Sequence, residues 1–295
     1  MIIEKSNQIK KKYKKRSQIY SIWLRFKRNK MAVAGLILLS ILLTVAICAP
    51  LIVKYEHVIK QNLKIRFLPP GRDYWFGTDA LGRDMFARII WGARYSLSLG
   101  IGAVFISMSI GAVIGSVAGY YGGRIDSLIM RIIDVIMAIP GTLMAITIVA
   151  ALGAGTVKLL IAMSISLIPT FSRVVRSIIL SIREEEYIEA ARSYGCKDRT
   201  IIMRHIWPNS LGPLIVQASL SMAQAVLTIS SLSFIGLGVP APTPEWGTIL
   251  SENKVNMRDY SYLCTIPGFA ILLSVIAMNL IGDGLRDALD PKLKN

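Results

Sequence analysis

EYIEAARSYGCKDRTIIMRHIWPNS, residues 186–210, is a charged and helix-prone stretch that lies between two long apolar segments. It ends near a Trp-Pro pair, and proline lacks a backbone N–H and is disfavoured inside a helix. A polar interruption of this kind, in a chain that is otherwise rich in apolar runs, indicates a loop that leaves an apolar environment and returns to it. The segments on either side therefore decide what surrounds the loop.

Composition and the lengths of the apolar runs indicate a polytopic membrane protein. The chain has 295 residues, of which 53% are hydrophobic and 18% are charged, whereas soluble domains carry about 25% charged residues. A helix needs about 20 apolar residues to cross a bilayer. Segments that meet this length lie at residues 31–53, 95–123, 135–157, 211–235 and 260–282. The sequence therefore predicts an all-α membrane protein with at least five spans.

A sixth span is predicted at residues 159–172, where the apolar run is shorter. This run has 14 uncharged residues and contains Pro169, so a re-entrant or buried segment is the alternative. Lys158 precedes the run and can extend its reach, because a lysine side chain snorkels to the membrane surface. A crossing here also places the charged segments on either side on the faces that their charges favour. We therefore predict six spans.

The distribution of charge predicts that both ends of the chain lie in the cytoplasm. Residues 1–30 carry 11 Lys and Arg against one acid, a local charge of +10, and basic segments beside a span stay on the cytoplasmic side of the plasma membrane. Such a tail contacts anionic lipids, and we expect no nucleic-acid partner. Six spans return the C-terminus to the same side, together with residues 173–210. Residues 54–94 then fall outside with eight Lys and Arg against four acids, which departs from the charge rule.

The sequence lacks the motifs of several kinds of active site. It has no GxxxxGK[ST] loop, so it has no usual site for a nucleoside triphosphate, and no GxSxG or HExxH. His57 and His205 have no carboxylate or cysteine cluster near them in the sequence, and we predict no metal site. Cys48, Cys196 and Cys264 are far apart and predict no disulfide. Few ionisable residues lie inside the predicted spans, whereas coupled carriers bury some as relays. These observations argue against an enzyme and against a secondary carrier.

Small residues of the second span predict a close helix contact. Gly111, Gly115, Gly119 and Gly123 recur at four-residue spacing. Residues four apart lie on the same face of a helix, and glycines on that face let a second backbone approach. We expect this ladder to serve packing inside the bundle.

The span at residues 211–235 is unusually polar. Its polar residues are Gln217, Ser219, Ser221, Gln224, Thr228, Ser230, Ser231 and Ser233. In a membrane such side chains need hydrogen-bond partners on other helices, or contact with water. Both alternatives remain open, and the second makes Gln217, Ser221, Gln224 and Thr228 candidate lining residues of a translocation path.

The opening stretch can now be interpreted as a surface for docking another protein. Residues 184–194 predict a short helix with glutamates at its start, where they favour the helix dipole, and an Ala-Ala pair gives it a smooth face. Gly195 follows the helix and predicts a left-handed cap. The pattern EAARSYG, nine residues, then HIWP resembles the EAA loop of ABC importer membrane subunits. In that family the short helix of the loop sits in a groove of the ATPase subunit and transmits its closure.

The resemblance to that loop covers residues 181–208, hereafter the coupling loop. It implies that the ATPase contact is made by Glu189, Ala190, Ala191, Gly195, His205 and Pro208. Trp207 departs from the pattern, because the family usually has leucine before this proline.

Four more segments indicate which group of ABC importer permeases the chain resembles. WFGTDALGRDMFARIIWGARYSL (75–97), GYYGGRIDSLIMRIIDVIMAIP (119–140), SLSFIGLGVPAPTPEWG (231–247) and GDGLRDALDP (282–291) are similar to the peptide/nickel importer permeases of the DppC/OppC type. Together they span most of residues 75–291. This resemblance implies the MetI-like fold of type I ABC importer permeases, with a basic tail at residues 1–30, a first span and extracytoplasmic loop at residues 31–94, and a permease core at residues 95–291.

The resemblance also implies partners and a mechanism. It implies a heterodimer with a paralogous permease subunit, two ABC ATPase subunits and an extracytoplasmic solute-binding protein. ATP is then bound and hydrolysed by the partner subunits, so we expect no cofactor in this chain and no enzymatic activity of its own. The expected function is ATP-driven import of dipeptides, oligopeptides or a related small solute such as nickel. A self-sufficient channel or secondary carrier is the alternative.

Overall fold

The structure, a computed structural model, describes residues 18–289, so most of the basic tail and the last six residues lie outside the described residues. Within this range the chain is helical and contains no β-strand. The helices are α1 (Gln18–Arg28), α2 (Lys30–Ile52), α3 (Tyr55–Ile59), α4 (Met85–Tyr121), α5 (Gly123–Met137), α6 (Gly141–Leu152), α7 (Thr156–Arg183), α8 (Glu186–Ser193), α9 (Asp198–Ile201), α10 (Trp207–Ile235), α11 (Trp246–Asn253) and α12 (Tyr262–Leu289).

Five helices are long and apolar enough to cross a membrane. They are α2, α4, α7, α12 and the continuous helical segment Asp198–Ile235, which contains α9 and α10. The prediction of an all-α polytopic membrane protein is confirmed. Helix α4 begins ten residues before the predicted span 95–123, because hydropathy marks where the hydrocarbon begins and not where the helix begins. Asp84 starts this helix, since its carboxylate accepts the Phe86 N–H at 2.8 Å.

The span predicted at residues 135–157 is not a single continuous helix. The chain here forms two helices, α5 and α6, whose axes differ by 79°. Pro140 lies at the start of α6, where its missing N–H interrupts the hydrogen-bond ladder that would join the two helices. Apolar composition alone does not show this break.

Contacts at both ends show that the bent pair still takes the chain across the bundle. Helix α4 ends beside the coupling loop, because the Tyr120 hydroxyl donates to Asp198. Helix α7 begins at the opposite end, where the Gly155 N–H donates to the Gly238 carbonyl at 3.3 Å. With the α5–α6 pair counted as one broken span, residues 18–289 contain six candidate spans.

The alternative of a re-entrant segment at residues 159–172 is also wrong. Helix α7 runs for 28 residues and continues through Pro169 to Arg183. The last turns of α7 carry arginines, which lie beyond the uncharged run that was used to predict the span. Arg176 forms a bidentate hydrogen bond with Asp126 of α5. The predicted span was short because the apolar run covers only part of α7, and the rest of the helix is charged.

Both ends of the described chain lie at the same end of the bundle. Phe26, Ala32 and Ala288 form one apolar cluster, and the Asn29 side chain donates to Asp287 at 3.2 Å. An even number of crossings requires this arrangement.

The glycine ladder packs α4 against α7, as predicted. A Cβ atom added to Gly111 would lie 2.6 Å from the Cβ of Phe171, and one added to Gly115 would lie 2.5 Å from the Ser172 carbonyl oxygen. Gly119 faces the same helix. Gly123 does not belong to the ladder, because it begins α5 with φ +55° and an added Cβ would meet no atom within 4 Å.

Candidate functional site

The coupling loop presents a short helix with one buried and one exposed face. The predicted helix at residues 184–194 is observed as α8. Ile188 is fully buried in an apolar cluster with residues of α7 and with Ile201 and Ile206. Glu189 and Ala190 lie on the exposed face. Ile188 thus seats the helix, Ala191 packs partly against the same cluster, and Glu189 and Ala190 point outward.

Gly195 ends α8 with the predicted left-handed conformation. Its φ is +73°, its N–H donates to the Arg192 carbonyl at 2.9 Å, and the N–H of Cys196 donates to the Ala191 carbonyl at 3.1 Å. These two bonds form a Schellman motif. An added Cβ would meet no atom within 4 Å, so the position needs glycine for its backbone conformation and not for space.

The Glu189 carboxylate is free for a partner. Among the described residues it forms no hydrogen bond or ion pair, although its backbone carbonyl accepts the Ser193 hydroxyl at 3.1 Å. A carboxylate at this position can accept hydrogen bonds from the backbone of the loop or from a basic group on a partner protein. The described contacts include none to the backbone of the loop. Tyr194, which is 88% exposed, extends the same outer surface.

The end of the coupling loop belongs to the next span. Residues Ile202–Ile206 form a π-helical turn, in which the Trp207 N–H donates to the Ile202 carbonyl, and α10 follows without a break. Pro208 lies in the first turn of α10, where its missing N–H is tolerated. The His205 side chain is partly buried, and its carbonyl accepts the Asn209 side chain at 2.7 Å. His205 and Pro208 therefore connect the loop to the membrane.

A second contact of Asn209 ties the same turn to α8. Its side-chain amide donates to the Tyr187 hydroxyl at 3.2 Å. Partial burial of this hydroxyl raises the pKa of Tyr187, and the nearby Glu185 carboxylate raises it further. Tyr187 thus remains a neutral hydrogen-bond partner.

Polar contacts hold the coupling loop on the end of α4. The Tyr120 hydroxyl donates to Asp198 at 2.6 Å, and the Arg192 guanidinium lies 5.1 Å from the centre of the Tyr120 ring. Arg183 donates to the Tyr120 carbonyl at 3.2 Å. We call these residues, with the pair described next, the loop clamp.

The remaining pair of the loop clamp involves the residue that departs from the family pattern. The Trp207 indole N–H donates to the Ser116 hydroxyl of α4 at 3.1 Å. Leucine has no such donor. Trp207 therefore packs at this position and adds a polar bond to α4, which the sequence did not indicate because its partner lies 91 residues away.

The candidate path residues of α10 share one face, but they bond mainly to each other. The Gln217 amide donates to the Ser221 hydroxyl at 3.2 Å, and the Gln224 amide donates to Thr228 at 3.4 Å. Ser221 and Thr228 are buried, and Gln224 is exposed. The structure thus brings these four residues into one stripe and leaves the two glutamine side chains accessible.

At the opposite end of the bundle, a buried carboxylate that the sequence did not reveal joins three elements. Glu245 is fully buried. It accepts the Ser96 hydroxyl of α4 at 2.9 Å, the Ser230 hydroxyl of α10 at 3.2 Å and the Thr248 N–H of α11 at 2.8 Å. The next residue, Trp246, donates its indole N–H to the Ile89 carbonyl at 3.1 Å. We call residues 54–84 and 236–261, which surround these contacts, the cap.

Four charged residues form an ion cluster under the cap. Arg83 donates to Asp79 at 2.6 Å and to the two oxygens of Glu252 at 3.2 and 3.1 Å. Arg88 donates to Asp79 at 2.7 Å and also bonds Glu252. Asp79 and Arg88 are fully buried, and Glu252 is 21% exposed. Two positive and two negative charges balance, so part of the excess positive charge of residues 54–94 is neutralised internally.

The described part of the chain shows no arrangement for holding a metal ion. Within residues 18–289, no three His, Cys, Asp or Glu side chains lie close enough together. His57 and His205 lie in different parts of the chain, near the cap and in the coupling loop respectively.

Two family models match separate parts of the chain. Residues 111–295 match the family described as binding-protein-dependent transport system inner membrane component. Residues 17–70 match the family described as N-terminal TM domain of oligopeptide transport permease C. Both matches cover spans described above, and the first includes the coupling loop.

Individual relatives are similar over almost their full length. The chain is 47% identical over 271 residues to the dipeptide transport system permease protein DppC of Alkalihalophilus pseudofirmus, which covers 92% of this chain and 89% of that protein. It is 43% identical over 279 residues to the glutathione transport system permease protein GsiD of Escherichia coli, with coverage of 95% and 92%. GsiD of Pectobacterium atrosepticum is 43% identical over 273 residues, with coverage of 92% and 91%.

Proposed function

The chain belongs to the family of binding-protein-dependent transport inner membrane components, and from this premise we propose that it works as the permease subunit of an ABC importer driven by separate ATPase subunits. Membership makes it a multi-pass membrane permease. The proposal adds the source of energy, the partners, the orientation and the cargo.

The observation that carries the proposal is the construction of α8. Its outer face offers an unpaired carboxylate, Glu189, beside the small side chain of Ala190. Its inner face is seated by Ile188, and the loop clamp ties the segment to α4. A helix that is exposed on one face and fixed to a span on the other suits the transfer of force from a partner to the membrane bundle. We therefore assign the ATPase contact to α8.

The orientation follows from charge and from the shared position of the ends. We propose that the coupling loop, the basic tail and the end of α12 face the cytoplasm, and that the cap faces outward toward a solute-binding protein. Labelling of single cysteines tests this, because Tyr194 and Val255 are 88% and 85% exposed at opposite ends of the bundle. A cysteine at residue 255 should react with an impermeant reagent from outside, and one at residue 194 only from inside. The reverse pattern contradicts the orientation.

We propose a small peptide as the cargo. The relatives are named as permeases of dipeptide and glutathione transport systems. The accessible side chains of Gln217 and Gln224 carry amides, which can donate to and accept from peptide groups. The polar stripe of α10 is one face of one helix and cannot enclose a path alone. We expect a second, paralogous permease to supply the other wall. Nickel remains a less supported alternative, since the described residues offer no cluster of ligands for it.

Reconstitution tests the proposed function directly. The chain, its paralogous permease, both ATPases and the binding protein are placed in proteoliposomes, and uptake of labelled dipeptide is measured with and without ATP. Uptake should require every component. Transport by this chain alone, without ATPase subunits, would support the alternative of a self-sufficient channel or carrier and contradict the proposal.

A further inference from the structure

Helix α4 differs from the other continuous spans in its backbone. It runs for 37 residues without a proline, which corresponds to about 55 Å at 1.5 Å per residue. Proline removes a helix hydrogen bond and is a common site of bending. The other continuous spans each contain one in their interior: Pro50 in α2, Pro169 in α7, Pro213 in α10 and Pro267 in α12. Helix α4 is therefore the span with an uninterrupted backbone ladder from end to end.

At one end, α4 is attached to the coupling loop. The loop clamp joins Tyr120 to Asp198 and Ser116 to Trp207, at 2.6 and 3.1 Å. Arg183 adds a bond to the Tyr120 carbonyl. A displacement of the loop must move the last turns of α4, because these contacts lie on successive turns of the helix.

At the other end, α4 is attached to α11. Arg88 lies in the first turn of α4 and bonds Glu252 of α11 directly, while Ser96 bonds Glu245 and Ile89 bonds Trp246. Arg88 is fully buried, and its Nε is a buried donor that has no acceptor in the described structure. Native proteins rarely keep an unsatisfied buried donor. The terminal nitrogens of Arg88 are both bonded, one to Asp79 and one to Glu252.

From these attachments we infer that α4 is a stiff rod that carries the displacement of the coupling loop to α11 in the cap, and that Arg88 is the positioning residue that joins the rod to α11. The inference rests on the proposed function, in which a partner moves the loop. Nucleotide binding on one side of the membrane then moves α11 on the other side. This surface is where a binding protein would release its cargo.

The two arginines of the ion cluster offer a matched pair of variants. Arg83 precedes α4 and joins Asp79 to Glu252 within the cap. Arg88→Met removes the bond between α4 and Glu252, yet both carboxylates keep Arg83 as a partner. Arg83→Met removes the same charge from the same cluster and leaves the bonds of Arg88, Ser96 and Ile89 to α11 intact. The two variants differ in connectivity and not in charge.

The experiment uses the full complex in lipid nanodiscs. Val255, directly after α11 and 85% exposed, is replaced by cysteine and carries a spin label or an environment-sensitive fluorophore, with the native cysteines substituted. The change in the label signal on adding a non-hydrolysable ATP analogue is recorded, together with ATPase association and basal ATP hydrolysis. In the Arg88→Met complex, the signal change should fall by about fivefold or more, which is the lower range of typical coupling between sites. Association and basal hydrolysis should be unchanged.

The controls make the outcome decisive. Arg83→Met should keep the full signal change, and a loss equal to that of Arg88→Met would overturn the inference by showing a general role of the cluster in folding. A normal signal change in Arg88→Met would overturn it as well. If Arg88→Met does not assemble, Arg88→Lys keeps the charge with one nitrogen for two carboxylates and should give a reduced response, so a full response contradicts the inference. A wild-type complex that binds no ATPase contradicts the proposed function instead.

Discussion

The coupling loop and the cap lie at opposite ends of α4 and use their polar residues in opposite ways. In α8 the carboxylate of Glu189 is exposed and has no partner among the described residues. In the ion cluster under the cap, Asp79 and Arg88 are fully buried and bond to other charged residues of the same chain. The charge at the coupling loop is exposed and unpaired, whereas the charges at the other end are paired with each other inside the chain.

This difference separates docking from internal attachment. An exposed, unpaired charge contributes little to the stability of its own chain and is free to bind a partner. A buried charge that lost its partner would cost several kcal/mol, so the cap cluster holds its elements together. Both regions lie in sequence segments with strong family resemblance, and resemblance alone does not tell the two roles apart. The two roles are distinguished by the burial of the charged side chains and by the residues to which they bond.

The largest expected effect is loss of the cap cluster. Asp79→Ala would leave two buried arginines to share Glu252, and removing one partner of a buried ion pair typically costs about 3–5 kcal/mol. We expect the purified permease to lose thermal stability in detergent and to yield little monodisperse protein. Thermal unfolding followed by tryptophan fluorescence measures this effect.

The matched control for this substitution is Asp73→Ala. Asp73 lies in the same segment but is exposed, so its removal should change stability by less than about 0.5 kcal/mol. Equal effects of the two substitutions would contradict the claim that the cap charges act through burial.

The next effect tests the coupling loop through its backbone. Gly195→Val forces a β-branched residue into φ +73°, which costs about 2 kcal/mol and should displace the Schellman cap of α8. We expect normal insertion and pairing, because the spans are untouched, but loss of ATPase association and of peptide uptake. Co-purification of the ATPases and uptake in proteoliposomes measure these outcomes.

Gly195→Asn provides the control for backbone conformation. Asparagine visits the left-handed region more readily than valine does, and an added Cβ atom meets no atom within 4 Å. Association should therefore largely return. If Gly195→Val supports normal ATPase coupling and uptake, the loop is a linker and not a coupler.

A smaller effect is expected where the loop meets α4. Tyr120→Phe removes the hydroxyl that bonds Asp198 at 2.6 Å. Because Asp198 is exposed, we expect a cost of about 1.4 kcal/mol, which corresponds to about tenfold faster hydrogen exchange at residues 196–200. The neighbouring Tyr121→Phe should leave exchange unchanged, since the Tyr121 hydroxyl forms no hydrogen bond among the described residues. Equal exchange in both variants would remove this bond from the loop clamp.

Local features of the fold could be predicted from the sequence because their causes lie close together in the chain. Gly195 was placed in a left-handed cap from the helix before it, and the structure gives it a φ of +73°. The spans followed from the lengths of the apolar runs. The break at Pro140 was missed because hydropathy averages over the residues on both sides of a kink.

The attachments of α4 could not be predicted, because their partners are distant in sequence. Arg88 and Glu252 are 164 residues apart, and Tyr120 and Asp198 are 78 residues apart. Nothing in the spacing of these residues specifies which charge meets which. The count of ionisable residues inside the predicted spans likewise did not indicate the position of Glu245, whose partners come from three helices.

The smallest effect on stability is expected in the polar stripe of α10, which lies between the two regions compared above. Gln217→Leu with Gln224→Leu removes two bonds within the helix, to Ser221 and Thr228, and we expect a change of less than about 0.5 kcal/mol per site in thermal unfolding. Dipeptide uptake should nevertheless fall, because an amide that faces the path would lose its contacts with peptide groups while ATPase association persists. The matched pair Ser219→Ala with Ser231→Ala removes hydroxyls that bond only to carbonyls of their own helix, and it should leave uptake unchanged. Unchanged uptake in the leucine variant would assign the stripe to helix packing, and it would place the role of α10 with the cap rather than with the cargo.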